Sequence, residues 1–291
     1  MLDQNTTEQV LSYQRDEITE HTIYQKLADS IKSPENSEIL EQIAADELRH
    51  ARFWQKYTEQ DVQPNRWKIW FYVLISRIFG YTFGIKLMER GEESAQTNYD
   101  TLQEVIPEAE RIKEEEEEHE RKLVQLLEEE GLFYISSVVL GLNDALVELT
   151  GALAGLTLAL QDTRLIALTG LITGIAAALS MGASEYLATK SRQEGETKNP
   201  FKASIYTGSA YIVTVFILIL PYLLLDNFYL CLVLTLTAAV VIVAIFNYYV
   251  SVAQDVSFKA RFTEMAGLSL GVAALSFGVG YIVRALLGVD V

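Results

Sequence analysis

The chain has 291 residues, is 50% hydrophobic, and carries 39 acidic and 23 basic side chains, for a formal net charge of −16. Residues 1–131 hold 29 acidic and 15 basic side chains and the remainder only 10 and 8, so an acidic half precedes an apolar one; such a surface repels nucleic acid and gathers cations. A single cysteine, Cys231, excludes an intrachain disulfide and a cysteine-rich metal site.

Met1 to Val10 are polar and hold no apolar stretch before a small-residue cleavage site, so no secretory signal is expected. A first helix is expected near 5–31, ending at "KSPENS", where Pro34 and Asn36 oppose continuation and Ser33 or Ser37 can cap the next helix. The second runs from about 37 to 60 and stops before Pro64. Then comes "RWKIWFYVLISRIFGYTFGIKLMERGEE", apolar but interrupted by Arg77 and Lys86 and opened by Trp67 and Trp70. Its part near 66–88 reads as an amphipathic connector, lying in a membrane interface or buried against a partner subunit rather than crossing a bilayer. A third helix covers roughly 80–104 and a fourth 107–130, with Pro107 well placed at a helix start. Four helices of this length suit a bundle.

Two of the helices carry a Glu-x-x-His pair, Glu47 with His50 in "DELRH" and Glu116 with His119 in "EEEEEH". A separation of three puts both side chains on one helix face. Glu17 precedes Tyr24 by seven residues and Glu92 precedes Tyr99 by seven, each ahead of a Glu-x-x-His helix. One Glu from each of two helices, plus a Glu-x-x-His from each of the other two, is the ligand set of a carboxylate-bridged di-metal site. The expected ligands are Glu17, Glu47, His50, Glu92, Glu116 and His119. Carboxylates with two imidazoles suit Fe or Mn better than Zn, and without metal the buried carboxylates would need extra protons or water. A run such as "EEEEEHE" is ordinarily a solvated face; the doubled pattern is what points to metal. His21 lies one position off the Glu17 to Glu20 stripe and is read as a surface or supporting residue.

The segments "EITEHTIYQKLA", "AADELRHARFW" and "EEEEEHERKL" resemble the first, second and fourth helices of the rubrerythrin branch of the ferritin-like superfamily. The resemblance covers most of residues 1–130 and implies a di-iron site, in which Glu20, Glu89 or Glu93 would serve as an additional, movable ligand. No cysteine-based rubredoxin site accompanies it, so the electron-transfer module of full rubrerythrins is missing.

From about Phe133 onward the apolar runs are long enough to cross a bilayer, which takes about 20 residues. Spans are expected near 134–160, 165–189, 204–225, 228–250 and 264–287. The loops after spans two and four hold Lys190, Arg192, Lys198, Lys202, Lys259 and Arg261, against Arg164 and Arg284 elsewhere. This bias places the N-terminal half in the cytoplasm. Inside the spans, Asp144 and Glu148 lie four apart beside Asn143, and Met181 and Glu185 lie four apart on the next span. Charged groups at such depth are costly and functional as a rule. The two faces could meet as a cation path, whose mixed hard and soft donors suit Fe2+ and whose carboxylates make exchange of cation for proton the natural coupling. Gly151 with Gly155, Gly170 with Gly174, and Gly267 with Gly271 allow either dimerisation or packing within the chain.

"NDALVELTG" and "SMGASEYLATKS" resemble the first two spans of the vacuolar iron transporter family, over about 133–288. The resemblance implies Asp144, Met181 and Glu185 as transport-path residues with Glu148 an addition, a homodimer, and exchange of Fe2+ or Mn2+ for protons. The glutamate-rich insertion of plant and fungal members is absent; the loop between spans two and three is about a dozen residues with Glu194 and Glu196. The whole chain is similar to the fusions called membrane-bound ferritins.

The expected architecture is therefore all-α: a ferritin-like four-helix bundle at 1–131 and a five-span helical membrane domain at 132–291. The expected function is efflux of divalent iron, or manganese, across the cell's inner (plasma) membrane, coupled to protons, with a cytoplasmic di-iron bundle that captures, senses or oxidises metal. The alternative is a membrane-tethered di-iron ferroxidase or peroxidase; a third reading makes the bundle a dimerisation module.

Overall fold

A computed structural model describes residues 3–93, 106–125, 134–191 and 198–287. The chain divides into two compact units, Met1–Glu129 and Glu130–Val291. The regular structure of the described residues is entirely α-helical.

The N-terminal unit contains α1 (Gln4–Ala28), α2 (Pro34–Thr58), α3 (Arg66–Phe79), α4 (Tyr81–Glu93) and α5 (Ala109–Gln125). Asp3 caps α1 by accepting from Thr6 N at 2.7 Å. Ser33 caps α2 with Pro34 in the first turn, so that helix begins earlier than the expected 37: proline at a helix start loses no hydrogen bond, because its missing N–H would be unpaired there anyway. The apolar run after Asn65 breaks at Gly80, whose φ of 97° is left-handed. The connector is consequently α3 alone; residues 81–88, where the expected connector and the expected third helix overlap, begin that bundle helix, which buries Phe83, Ile85 and Met88. A side chain at Gly84 would collide with Ser76 Oγ, so close packing of α4 on α3 requires glycine there. The expected third and fourth helices beyond residues 93 and 125, and Tyr99, lie outside the described residues.

Ile23, Leu27, Leu40 and Ile43 of α1 and α2 meet Ile69, Ile85, Met88 and Leu123 in one apolar cluster. Val10, Trp54, Ile106 and Ile112 form a second. Each such side chain contributes about 1.5–3 kcal/mol by leaving water, which holds the four bundle helices around the polar residues between these clusters.

The C-terminal unit contains α6 (Ile135–Leu160), α7 (Thr163–Ser191), α8 (Pro200–Leu224), α9 (Phe228–Gln254) and α10 (Phe258–Leu287). Among the described residues these five are long and apolar enough to cross a membrane. Asn199 caps α8 ahead of Pro200, moving its start back from 204. The last helix begins at Phe258 rather than 264 and so takes in Lys259 and Arg261. Leu146, Leu149, Leu153, Ile166, Val215 and Leu218 pack inside, whereas Leu168, Ile172, Ile175 and Leu179 line an outward stripe of α7. Apolar side chains on the outside as well as inside suit lipid as solvent. Gly151 and Gly155 lie against α10, and Gly170 and Gly174 against side chains of the same unit, which is packing within the chain; nothing lies within 4 Å of a Cβ at Gly267 or Gly271. A side chain on Gly280 would strike the Gly155 carbonyl, so glycine there lets α10 lie close against α6.

Candidate metal sites

In the N-terminal unit, Glu17, Glu47, His50 and Glu116 each place one ligand atom within 4.8 Å of the others. They come from α1, α2 and α5, and the three-residue spacing brings Glu47 with His50, and Glu116 with His119, onto inward faces. His50 Nδ1 lies 3.0 Å from Glu116 Oε1, 3.4 Å from Glu47 Oε2 and 3.6 Å from Glu17 Oε2. His119 Nδ1 lies 3.2 Å from Glu47 Oε1 and 3.7 Å from Glu116 Oε2. The imidazole rings are 5.8 Å apart.

These donor atoms converge on a shared space. Glu17 Oε2, Glu47 Oε2, His50 Nδ1 and His119 Nδ1 are buried and make no hydrogen bond. Orphaned buried polar atoms are expensive unless something pairs with them, and oxygen and imidazole donors facing inward fit a di-metal centre of Fe or Mn type. The histidines are fixed from behind: His50 Nε2 contacts Glu115 Oε2 at 2.7 Å and His119 Nε2 contacts Asp46 Oδ2 at 3.0 Å. With Nε2 donating, the neutral ring turns its Nδ1 lone pair inward. The supports cross over, since Asp46 precedes Glu47 but holds the histidine of the other motif, and Glu115 precedes Glu116 but holds His50. Arg49 ties them together, 2.6 Å from Asp46 Oδ1 and 2.9 Å from Glu115 Oε2.

Two further side chains fix the carboxylates. The buried Trp54 indole donates to Glu17 Oε1 at 3.0 Å, and Tyr24 Oη donates to Glu89 Oε1 at 2.5 Å. Burial pushes the Glu89 carboxyl up to about 7 against the Tyr24 bond, with the charges of Glu116 and Glu47 adding to it. Glu17 is raised by burial and by Glu47 and Glu116, despite His50. Glu47 is also buried, yet His119, His50 and Glu17 overcome burial and bring it down to about 2. Burial opposes the charge on His119, but Glu116 and Glu47 push it up to about 10; Glu116, Glu17 and Glu47 likewise raise His50. Without metal the cluster thus holds protons on its imidazoles.

Of the expected ligands, Glu17, Glu47, His50, Glu116 and His119 are brought together here. The side chains of Glu92 and Glu93 lie outside the described residues. Glu89 is close enough for Glu116 and Glu47 to act on it, whereas Glu20 is outside the four-residue group and acts on Lys68. His21 serves helix packing, its Nδ1 donating to the Ala44 carbonyl at 2.6 Å. Asp46, Glu115, Arg49, Trp54 and Tyr24 carry supporting roles that the spacing argument does not reach. The signal for two of them is the acidic residue directly before the glutamate in both motifs.

In the C-terminal unit, Ser137 Oγ donates to the buried Glu185 Oε1 at 2.8 Å, with Thr189 Oγ1 at 3.5 Å. Ser137, Asp144 and Glu148 share one stripe of α6 at steps of seven and four, so Glu185 of α7 joins the stripe two turns before Asp144. Tyr211 Oη of α8 donates to Glu148 Oε2 at 3.0 Å. Glu148 lines an open groove of about 430 Å³ with Gly151, Thr173, Ser276 and Gly280. Met181 packs against the apolar core. Asn143 faces elsewhere, into a smaller pocket with Asn247, Arg261 and Glu264. Asp144, Glu148 and Glu185 form no compact ligand group of the kind seen in the N-terminal unit.

Two known families match parts of the chain. The rubrerythrin family model matches residues 14–131 and the VIT family model residues 135–198. The chain joins a rubrerythrin domain to a VIT-family domain. The rubrerythrin match points to a di-iron site, and the VIT match, with five candidate spans, to a multi-pass membrane metal transporter. A search of curated proteins returns no match.

Proposed function

We propose that the protein exports divalent iron, or manganese, across the plasma membrane in exchange for protons, with its rubrerythrin domain in the cytoplasm. The observation that carries the reading is the set of orphaned inward donors of Glu17, Glu47, His50 and His119, in a chain whose spans also hold Asp144, Glu148 and Glu185. Membrane carboxylates have no use in a mere anchor, which favours transport over a membrane-tethered enzyme. The basic residues of the loops after α7 and α9 favour a cytoplasmic N-terminus.

In the rubrerythrin domain, Glu17, Glu47, His50, Glu116 and His119, with Glu92, would hold two metal ions; the bound pair would supply Lewis acidity and one-electron redox chemistry. Asp46 and Glu115 orient the histidines, and the protons those rings hold leave as metal enters. In the VIT domain, Asp144 and Glu148 offer oxygen donors to the transported cation, Tyr211 fixes Glu148, and Glu185 lies further along the same stripe with Met181 one turn before it. A carboxylate that takes up the cation gives up any proton it carries, which couples the two flows. The family resemblance favours a homodimer.

Proteoliposomes of the full chain should show metal-driven proton movement that is lost in Asp144→Ala; unchanged flux in that variant overturns the path. Oxygen or peroxide consumption by the metal-loaded chain, abolished in Glu47→Ala, would assign oxidation to the bundle, and its absence would leave capture or sensing.

A further inference from the structure

The connector helix α3 shows two unlike faces. Ile69 and Ser76 are buried against the bundle, with Tyr72 and Val73 partly so. On the other side Trp67 (78% exposed), Trp70, Phe71, Leu74 and Ile78 stand outside. Their spacing of three, four, seven and eleven from Trp67 gathers them into one narrow stripe. By the same periodicity Arg66 and Arg77 border the stripe on one side; Lys68, on the other, is paired with Asp16 of α1 at 2.7 Å. The helix carries no acidic residue, although it belongs to a domain rich in them.

Such a stripe on a bundle helix needs a cover, and three features select lipid. Tryptophans beside basic residues, ahead of a fully apolar strip, are the pattern of a helix lying in the plane of an anionic membrane surface. At ~1.5 Å per residue the 14 residues of α3 extend only ~21 Å, too short to cross a ~30 Å core. A second copy packed stripe to stripe would set Arg66 and Arg77 against the same residues with no acid on the helix to meet them, whereas phospholipid headgroups supply the opposite charge. The bilayer is also never far away, because the same chain threads it five times, so even weak intrinsic affinity is enough.

We propose that α3 is an interfacial anchor, its Trp67–Ile78 stripe set into the headgroup and upper acyl layer of an anionic bilayer with Arg66 and Arg77 on the phosphates. This holds whether or not the protein exports metal.

The chain offers its own probe. It has three tryptophans, Trp54, Trp67 and Trp70; Trp54 is fully buried in the bundle and none lies in a span. The full chain would be reconstituted in vesicles of phosphatidylcholine, with or without phosphatidylglycerol, whose acyl chains are brominated near the headgroup. Bromolipid should remove about half or more of the tryptophan emission, more strongly with phosphatidylglycerol, and iodide on both sides should remove little. The Trp67→Phe, Trp70→Phe double variant, altered only at exposed positions, should be insensitive to bromolipid. Quenching by iodide without bromolipid quenching would mean a bare surface and overturn the proposal. Protection from both quenchers would mean a protein cover and overturn it equally, as would bromolipid quenching that survives in the double variant.

Discussion

Asp46 accepts from His119 Nε2 at 3.0 Å across 73 positions of chain, while the histidine of its own motif, His50, is held by Glu115. Each Glu-x-x-His motif supports the other's histidine. Replacing Asp46 by Asn or Glu115 by Gln should weaken metal binding about 10–100-fold each, the usual cost of losing such a partner. Competition against a chelator with Mn2+ on the full chain measures it; affinities within twofold of the parent would show the two bonds to be incidental.

Trp54 ties α2 to Glu17 and is among the largest fully buried side chains. Trp54→Phe keeps most of the volume but leaves Glu17 Oε1 buried without its donor, which should cost about 1–3 kcal/mol. Chemical denaturation of the metal-free chain, followed by circular dichroism, should show this, and Mn2+ should recover part of the loss by binding the folded state. Equal midpoints for the two proteins would rule out an energetic role for the bond.

The metal-free bundle should be most stable between about pH 4.5 and 6.5, the ordinary values of a glutamate and a histidine. Glu47, lowered to about 2 by His119 and His50 against burial, contributes stability that is complete above 4.5 and is lost as the pH falls through 2. His119, raised to about 10 by Glu116 and Glu47 against burial, contributes stability that is complete below 6.5 and is lost as the pH rises toward 10. Glu89, raised to about 7 by its own burial, costs stability as the pH rises from 4.5 to 7 and so draws the optimum toward the acid end of this window. Thermal melts of chelated protein across this range provide the check, and a melting temperature that kept rising above pH 7 would contradict it.

Tyr211 is buried and its hydroxyl reaches Glu148 at 3.0 Å. Tyr211→Phe should preserve packing yet raise the KM for metal flux about tenfold, since a hydrogen bond to a charged group is worth about 1.5–3 kcal/mol. In a Glu148→Gln background the same change should add little, because the two groups act as a pair. Additive effects would separate Tyr211 from Glu148.

Much of this was legible from the residues. The spans follow from apolar runs too long for a soluble core, and the inward faces of α2 and α5 from two Glu-x-x-His pairs, because local spacing alone decides both. The crosswise supports were only half legible: an acidic residue precedes the glutamate of both motifs, but only the meeting of α2 and α5 shows that each one holds the other motif's histidine. A helix start near 80 was expected, but that the connector stops at Gly80 was not. An apolar sequence continues across it, and a lone glycine costs a helix too little to mark an end; the turn is fixed by the packing of Gly84 on Ser76. Asn143, next to Asp144 in sequence, faces another pocket because neighbours on a helix point about 100° apart.

The crossed bonds also bear on the order of synthesis. A nascent chain that has made only α2 possesses Glu47 and His50 but not the carboxylate that aims His50. More than sixty residues later α5 supplies Glu115, and in the same event His119 finds Asp46. Neither motif fixes its own histidine, so the inward donors of both take up their orientation only in the single event that joins α2 to α5.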